Sequence, residues 1–185
     1  MCSSDLPDAE YRDALRRIQR AAEQMGRRVD DLLLLARAEA GERPPVQDVV
    51  ELDGLVLECA DLMRRRAETL GRALELDRVE PAQVTGHDGL LREGLLELLE
   101  NALRHGGGER PVRISAYVAA GQACIAVASD GPAFAPPGDG ADASRAGLGI
   151  SILQWIADVH RGALRVDRRD GVNVVRLEWP TRGPA

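Results

Sequence analysis

Glu97-Leu98-Leu99-Glu100-Asn101 is the stretch on which the reading of this chain turns. It sits in a pattern where Leu91, Leu95, Leu98, Leu99 and Ala102 recur at helical spacing, which predicts a helix from Gly89 to His105 with those residues inward. Glu97 and Asn101 are four residues apart and so share one helix face. Asn is a poor residue for a helix interior, so Asn101 calls for a reason other than helix formation. Two further boxes follow, Ser129-Asp130-Gly131-Pro132 after a strongly β-like stretch and Gly147-Leu148-Gly149-Ile150 before an apolar helical one. All three stand where the chain is expected to change, or has just changed, its secondary structure.

The residue types suit a nucleotide. The Asn101 carboxamide offers a neutral oxygen, a hard ligand for Mg²⁺ that leaves a triphosphate to supply the charge. Glu97 could position or deprotonate a hydroxyl, or reach the water shell of the metal. Arg104 and His105 follow about one turn later, within reach of phosphate or ribose. Gly106-Gly107-Gly108 ends the helix and lets the backbone pass close to a ligand. Gly147-Leu148-Gly149 is expected to open a helix at about Leu148, where backbone N–H groups can hold phosphate. Taken singly, Glu97 and Arg104 read as surface charges and Gly-Leu-Gly as a turn.

The boxes resemble the N, G1 and G2 boxes of the ATP-binding domain shared by sensor histidine kinases and gyrase-type ATPases. That resemblance covers about Asp8 to Pro180. Gyrase-type ATPases carry Glu then Asn at the positions of Glu97 and Asn101, and many histidine kinases carry Asn at both. In the family the G1 box reads Asp-x-Gly-x-Gly, and its Asp accepts a hydrogen bond from the adenine amino group. Here Ser129 takes the Asp place, Gly131 matches the first Gly and Ala133 replaces the second. Asp130 is one residue late. Either Asp130 swings in, or Ser129 with a bridging water reads the adenine. Loss of a charged acceptor typically costs about 1.5–3 kcal/mol, roughly tenfold to a hundredfold in binding. The Phe-x-x-Phe element of the family's ATP lid is absent, Phe134 being the sole Phe, and the late Gly-x-Gly-Thr box appears as Gly171-Val172-Asn173-Val174. His160 and Gly162 fall in the family's His-Gly turn, where His160 is structural.

The resemblance implies ATP and Mg²⁺ as cofactors, with Asn101 holding the metal and Glu97 beside it in a catalytic role. Arg104, His105, Ser129, Asp130, Gly131, Gly147, Leu148 and Gly149 would complete the nucleotide site. The implied activity is transfer of the γ-phosphoryl to a His on a dimerisation hairpin, and onward to the receiver domain of a response regulator. In the family that His lies upstream of the segment matched here. His87, His105 and His160 all fall in the later domain, so the phosphoacceptor is expected on another segment or chain. The rival readings are a degenerate, non-catalytic kinase-like module, a Ser/Thr kinase of the anti-sigma type and a gyrase-type ATPase.

Residues 8–41 read as a helical arm. Tyr11, Leu15, Ile18, Ala22, Met25, Val29, Leu32 and Ala36 alternate steps of four and three, a coiled-coil-like seam. Gly41 suits the position after the helix, and Pro44-Pro45 blocks continuation. The segment Val29 to Ala40 resembles the end of a kinase's second dimerisation helix, which implies a homodimer through this arm. Residues 46–180 form the main domain. Short strands are expected at Val46–Val50, Ala73–Asp77 and Ala82–Thr85, with a helix from Asp53, its N-cap, to Leu70. Strand pairs follow at Val112–Val118 with Ala123–Ala128, and at Ala163–Val166 with Val172–Glu178. This irregular alternation predicts an α+β two-layer sandwich behind a long N-terminal helix.

Bulk composition fits that picture. The net charge of -6 argues against a nucleic-acid partner. Cys2, Cys59 and Cys124 are too few and scattered for a disulfide framework or metal knuckle. All 24 basic residues are Arg, so any side-chain cation on a phosphate must be Arg or His. No apolar run approaches the roughly 20 residues that span a bilayer. The expected location is cytoplasmic, with inner-membrane anchorage of the parent protein only through segments upstream of this chain.

Overall fold

The computed structural model describes residues 8–107, 109–132 and 143–181. Ala133, Phe134 and most of the loop expected between the second and third boxes lie outside the described residues. The chain divides into two compact units, Met1–Gly41 and Glu42–Ala185.

In the first unit α1 spans Asp8–Glu39. Gly41 follows with a positive φ of 71°, the left-handed conformation that commonly ends a helix. Tyr11, Ile18, Met25 and Val29 along the seam are more than half exposed in the single chain.

The second unit is an α+β layer pair. β1 (Asp48–Glu51) pairs antiparallel with β3 (Gln83–Gly86) in a small separate sheet. The main sheet contains β2 (Leu74–Val79), β4 (Val112–Ala119), β5 (Gln122–Asp130), β6 (Ala163–Arg169) and β7 (Val172–Pro180) in the order β2-β4-β5-β7-β6. Only β2 and β4 run parallel; the other neighbours are antiparallel. The hairpins turn at Ala120-Gly121 and Asp170-Gly171. Both residues of each turn have positive φ, the pattern of the tight turn that matches strand twist.

Helices α2 (Leu52–Thr69), α3 (Asp88–His105) and α4 (Ala143–Val159) cover one face. Side chains alternate across a strand, and the fully buried Ile125, Val127, Leu177 and Trp179 occupy the helix-facing positions of β5 and β7. Leu52 and Val56 of α2, Leu95 and Leu99 of α3, and Leu153 and Ile156 of α4 are likewise at or near zero exposure. α3 and α4 approach closely at Gly94, where an added Cβ would lie 3.1 Å from Ile156 Cδ1.

Strand bounds shift by up to three residues, and three helix starts differ from expectation. α2 begins one residue earlier, and Glu51 is its N-cap, without a side-chain cap bond. Asp53 lies in the first turn, where Oδ1 accepts from Ala82 N at 3.4 Å, so it ties the helix start to β3 rather than capping it. At α3 the cap is His87, whose Nδ1 accepts from Leu90 N. α4 starts at Ala143, not Leu148. Glycine is a weak helix former, which placed the expected boundary at the Gly box; here Gly147 and Gly149 are both inside the helix.

Candidate functional site

Glu97 and Asn101 stand on the α3 face that meets α4. Asn101 Nδ2 donates to Glu97 Oε1 at 2.8 Å, and both side chains are half-buried. The bond fixes the orientation of the amide and leaves its oxygen as the acceptor end. Gly149 of α4 faces the pair. A Cβ there would collide with Glu97 Oε1 and come within 3.0 Å of Asn101 Nδ2. Asn101 and the Gly box, distant in sequence, therefore lie against one another.

A second cluster lies one turn along α3, at its exit. The turn at Gly131 has φ of 137°, and a Cβ there would sit 2.7 Å from His105 O and 3.2 Å from Gly107 N. Only glycine permits that approach. Gly107 N donates to the backbone oxygen of Asp130 at 2.8 Å and to its Oδ1 at 3.0 Å. Arg110 N donates to Asp130 Oδ2 at 3.2 Å. Arg72 adds an ion pair to Oδ1 at 3.6 Å and donates from Nη1 to Gly106 O at 2.6 Å. The Asp130 carboxylate is thus engaged by the loop after α3.

Ser129 is on the other side of the strand. It pairs with Asn173 in register and shares the helix-facing row with Val127 and Ile125. The two resemblance-based alternatives for the base are physically unequal: Ser129 faces the helices, whereas Asp130 braces the α3 exit.

Arg104 donates to Glu100 Oε1 at 2.6 Å, and Arg66 of α2 meets the same carboxylate at 2.8 Å. Burial pushes the Glu100 carboxyl up, but hydrogen bonds from Arg66 and Arg104 outweigh it and hold the group below its ordinary value. The side chain of Arg104 therefore braces α3 to the Arg66–Glu100 pair. His105 is exposed, with its carbonyl against Gly131. Gly147 and Leu148 lie in α4, their side chains outside the described residues. Gly147 is the fifth residue of that helix; the four N–H groups without helical partners belong to Ala143 through Ala146. The expectation that the Gly box itself forms the helix N-terminus is corrected accordingly.

Sequence reasoning missed Arg72, Arg168 and the site role of Asn173. Asn173 Nδ2 donates to Pro132 O at 2.8 Å, and Arg168 donates to Asn173 Oδ1 at 3.1 Å and to Gly131 O at 2.9 Å. An Asn inside a strand, where that residue is depleted, was the available signal. Arg72 carries none.

The donor set fits a hard cation bound with phosphate. An amide oxygen and a carboxylate lie side by side, and the lack of a side chain at Gly149 lets the α4 backbone approach both. Among the described residues no group of three or more His, Cys, Asp and Glu gathers to hold a metal by itself, so a cation here would draw further ligands from the phosphates or water. No helix among the described residues is long and apolar enough to cross a membrane.

Comparison with known proteins identifies the family. Residues 86–183 match the family model described as histidine kinase-, DNA gyrase B-, and HSP90-like ATPase. The sensor histidine kinase TrcS of Mycobacterium tuberculosis is 31% identical across 96% of this chain and 38% of its own length. The sensor protein CutS of Streptomyces coelicolor is 33% identical across 80% of this chain and 38% of its own. The chain spans less than half the length of these relatives. Among solved structures, full-length ShkA in complex with AMPPNP superposes with a TM-score of 0.74 at 25% identity, covering 95% of this chain and 40% of that one. The Acinetobacter baumannii histidine kinase AdeS gives 0.72 at 16% identity, over 97% and 87% of the two chains.

Proposed function

Because the chain belongs to the histidine kinase-, DNA gyrase B- and HSP90-like ATPase family and carries an ATP-binding domain of the sensor histidine kinase type, we propose that it is the catalytic part of a two-component sensor histidine kinase. In this reading it transfers the ATP γ-phosphoryl to a His on a dimerisation hairpin. The P–O bond to ADP breaks as a P–N bond to the imidazole forms, and the receiver domain of a response regulator takes the group onward. The observation that carries the reading is the packing of Gly149 on Glu97 and Asn101.

The geometry supports the following roles. Glu97 accepts from the Asn101 amide and turns its oxygen out as a cation ligand. Magnesium held there would offset phosphate charge and fix the phosphate's orientation. Gly147, Leu148 and Gly149 frame the phosphates, and Gly149 lets the α4 backbone come close. His105, Ser129 and Gly131 line the base and ribose side, with Asp130 and Arg104 bracing it. Phosphoryl transfer asks chiefly for positioning and charge stabilisation, which this arrangement is suited to give. The exposed seam of α1 fits a homodimer, since one such stripe cannot be buried by its own helix.

Titration with Mg-ADP, followed by labelled ATP with a separate His-bearing hairpin, tests the reading. Binding plus label on the hairpin supports it; no binding at millimolar nucleotide overturns it. The engagement of Asp130 by the α3 exit favours one rival, a kinase-like regulatory module without transfer. Nucleotide binding with an unlabelled hairpin would select that rival.

A further inference from the structure

The helix-facing side of the main sheet is apolar except at one end. There Arg168, Asn173 and Ser129 line up across β6, β7 and β5 in direct register. The next row inward is Val166, Val175 and Val127. Asn173 is only 6% exposed. A buried carboxamide in a strand costs free energy unless its groups are paired. Both ends are paired here, and both bonds serve the same turn: Nδ2 donates to Pro132 O at 2.8 Å, and Oδ1 accepts from Arg168 Nη1 at 3.1 Å. The second nitrogen of Arg168 closes the bracket on Gly131 O at 2.9 Å. Two consecutive carbonyls of the turn are thus held by one Arg–Asn pair. On its other side Gly131 lies against His105 O and Gly107 N, at the end of the helix that carries Glu97 and Asn101.

Resting on the nucleotide reading above, we propose that Arg168 and Asn173 are positioning residues for the base side of the site. They act through the Gly131–Pro132 turn, setting its distance from the α3 exit and hence the spacing between the end of β5 and α3. Neither side chain has to touch the ligand. The phosphate side, built by Asn101 and Gly149, is independent of them.

The test separates the two sides of the site. Full-length chain carrying Asn173→Ala or Arg168→Met is titrated with Mg-ADP and, by displacement of a fluorescent nucleotide, with Mg-tripolyphosphate. Arg168 is exposed on the outermost strand, so Arg168→Met keeps the test usable if Asn173→Ala does not fold. The expected result is an affinity for Mg-ADP about tenfold weaker, with the affinity for Mg-tripolyphosphate within about twofold of wild type. A parallel loss for both ligands means a general structural effect and overturns the proposal. So does unchanged Mg-ADP affinity in a folded Arg168→Met chain. If the wild-type chain binds no Mg-ADP, the nucleotide reading itself fails, and the proposal with it; that outcome is distinct from a wild type that binds and variants that bind equally.

Discussion

Gly149 of α4 sits so close to Glu97 of α3 that a methyl group in place of its hydrogen would collide with the carboxylate oxygen Oε1. That oxygen is also the acceptor of the Asn101 amide. Gly149→Ala therefore has opposed effects. Alanine gains roughly 1 kcal/mol over glycine inside a helix, and a Glu tip can swing aside cheaply. Swinging aside breaks the bond that orients Asn101. The expected variant melts at or above the wild-type temperature, yet binds Mg-ADP at least about tenfold more weakly. Calorimetry and thermal melts on the same sample check this; equal affinity would show that the α3–α4 contact is packing only.

Asn101→Ala removes the amide oxygen assigned to the cation. The hydrogen bond that its amide donates to Glu97 is half-buried, so the stability cost should be about 1 kcal/mol. ADP affinity is expected to fall to the level that wild type shows in EDTA, with no further gain on adding magnesium. A magnesium-dependent gain that survives in Asn101→Ala would sink the metal assignment.

Much of this fold was legible in the sequence where the signal is local. The α3 periodicity placed Leu91, Leu95, Leu98, Leu99 and Ala102 inward, and all are buried. The strand pair expected at Ala163–Val166 with Val172–Glu178 forms, and Asp170-Gly171 between them adopts the two positive φ angles of a tight hairpin turn. What was not legible depends on distant partners. The pairing of β1 with β3 leaves no local trace. The start of α4 was misplaced because two glycines look like a helix end until the neighbour that needs them is known. Ser129 and Asp130 show the limit most sharply. They are adjacent, and their opposite roles follow from strand alternation, which needs the register of β5 against β7 before it can be read.

His160 predicts a pH dependence. It is 5% exposed and packs edge-on to Trp179. The backbone N–H of His87 donates to its Nε2 at 3.0 Å, so the ring proton is on Nδ1, donating to Ile156 O at 2.7 Å. Protonating Nε2 would set a proton against the His87 N–H. Burial lowers the affinity of His160 for a proton below the ordinary histidine value, and nearby His87 adds to this; the bond to Ile156 opposes it. The unfolded chain then binds a proton that the folded one does not. Stability is full above about pH 6.5, the unfolded value, and falls with pH through the window down to the depressed folded value. Melting temperatures between pH 7.5 and pH 5 should decline for wild type and decline less for His160→Gln, which itself loses about 1–3 kcal/mol at the upper pH. Equal slopes for the two proteins would remove His160 as the cause.

Asp130 and Ser129 should separate stability from binding. In the folded chain Arg72 is 8% exposed and Asp130 16%. Asp130→Ala leaves the Arg72 charge without that carboxylate and the Arg110 N–H without its acceptor, while Gly107 N keeps the backbone oxygen of residue 130. Breaking one side of a buried pair costs about 3–5 kcal/mol. The lower figure applies here, because Gly107 N keeps its backbone acceptor and the exposed Arg110 N–H can turn to water. For a unit of this size about 3 kcal/mol lowers Tm by roughly 6–12 °C. Ser129→Ala removes one hydroxyl facing the helices and should leave Tm within a few degrees while weakening Mg-ADP. If Asp130→Ala instead melts like wild type and loses nucleotide, while Ser129→Ala binds normally, the carboxylate and not the hydroxyl meets the base, and the brace described for Asp130 gives way when the ligand arrives.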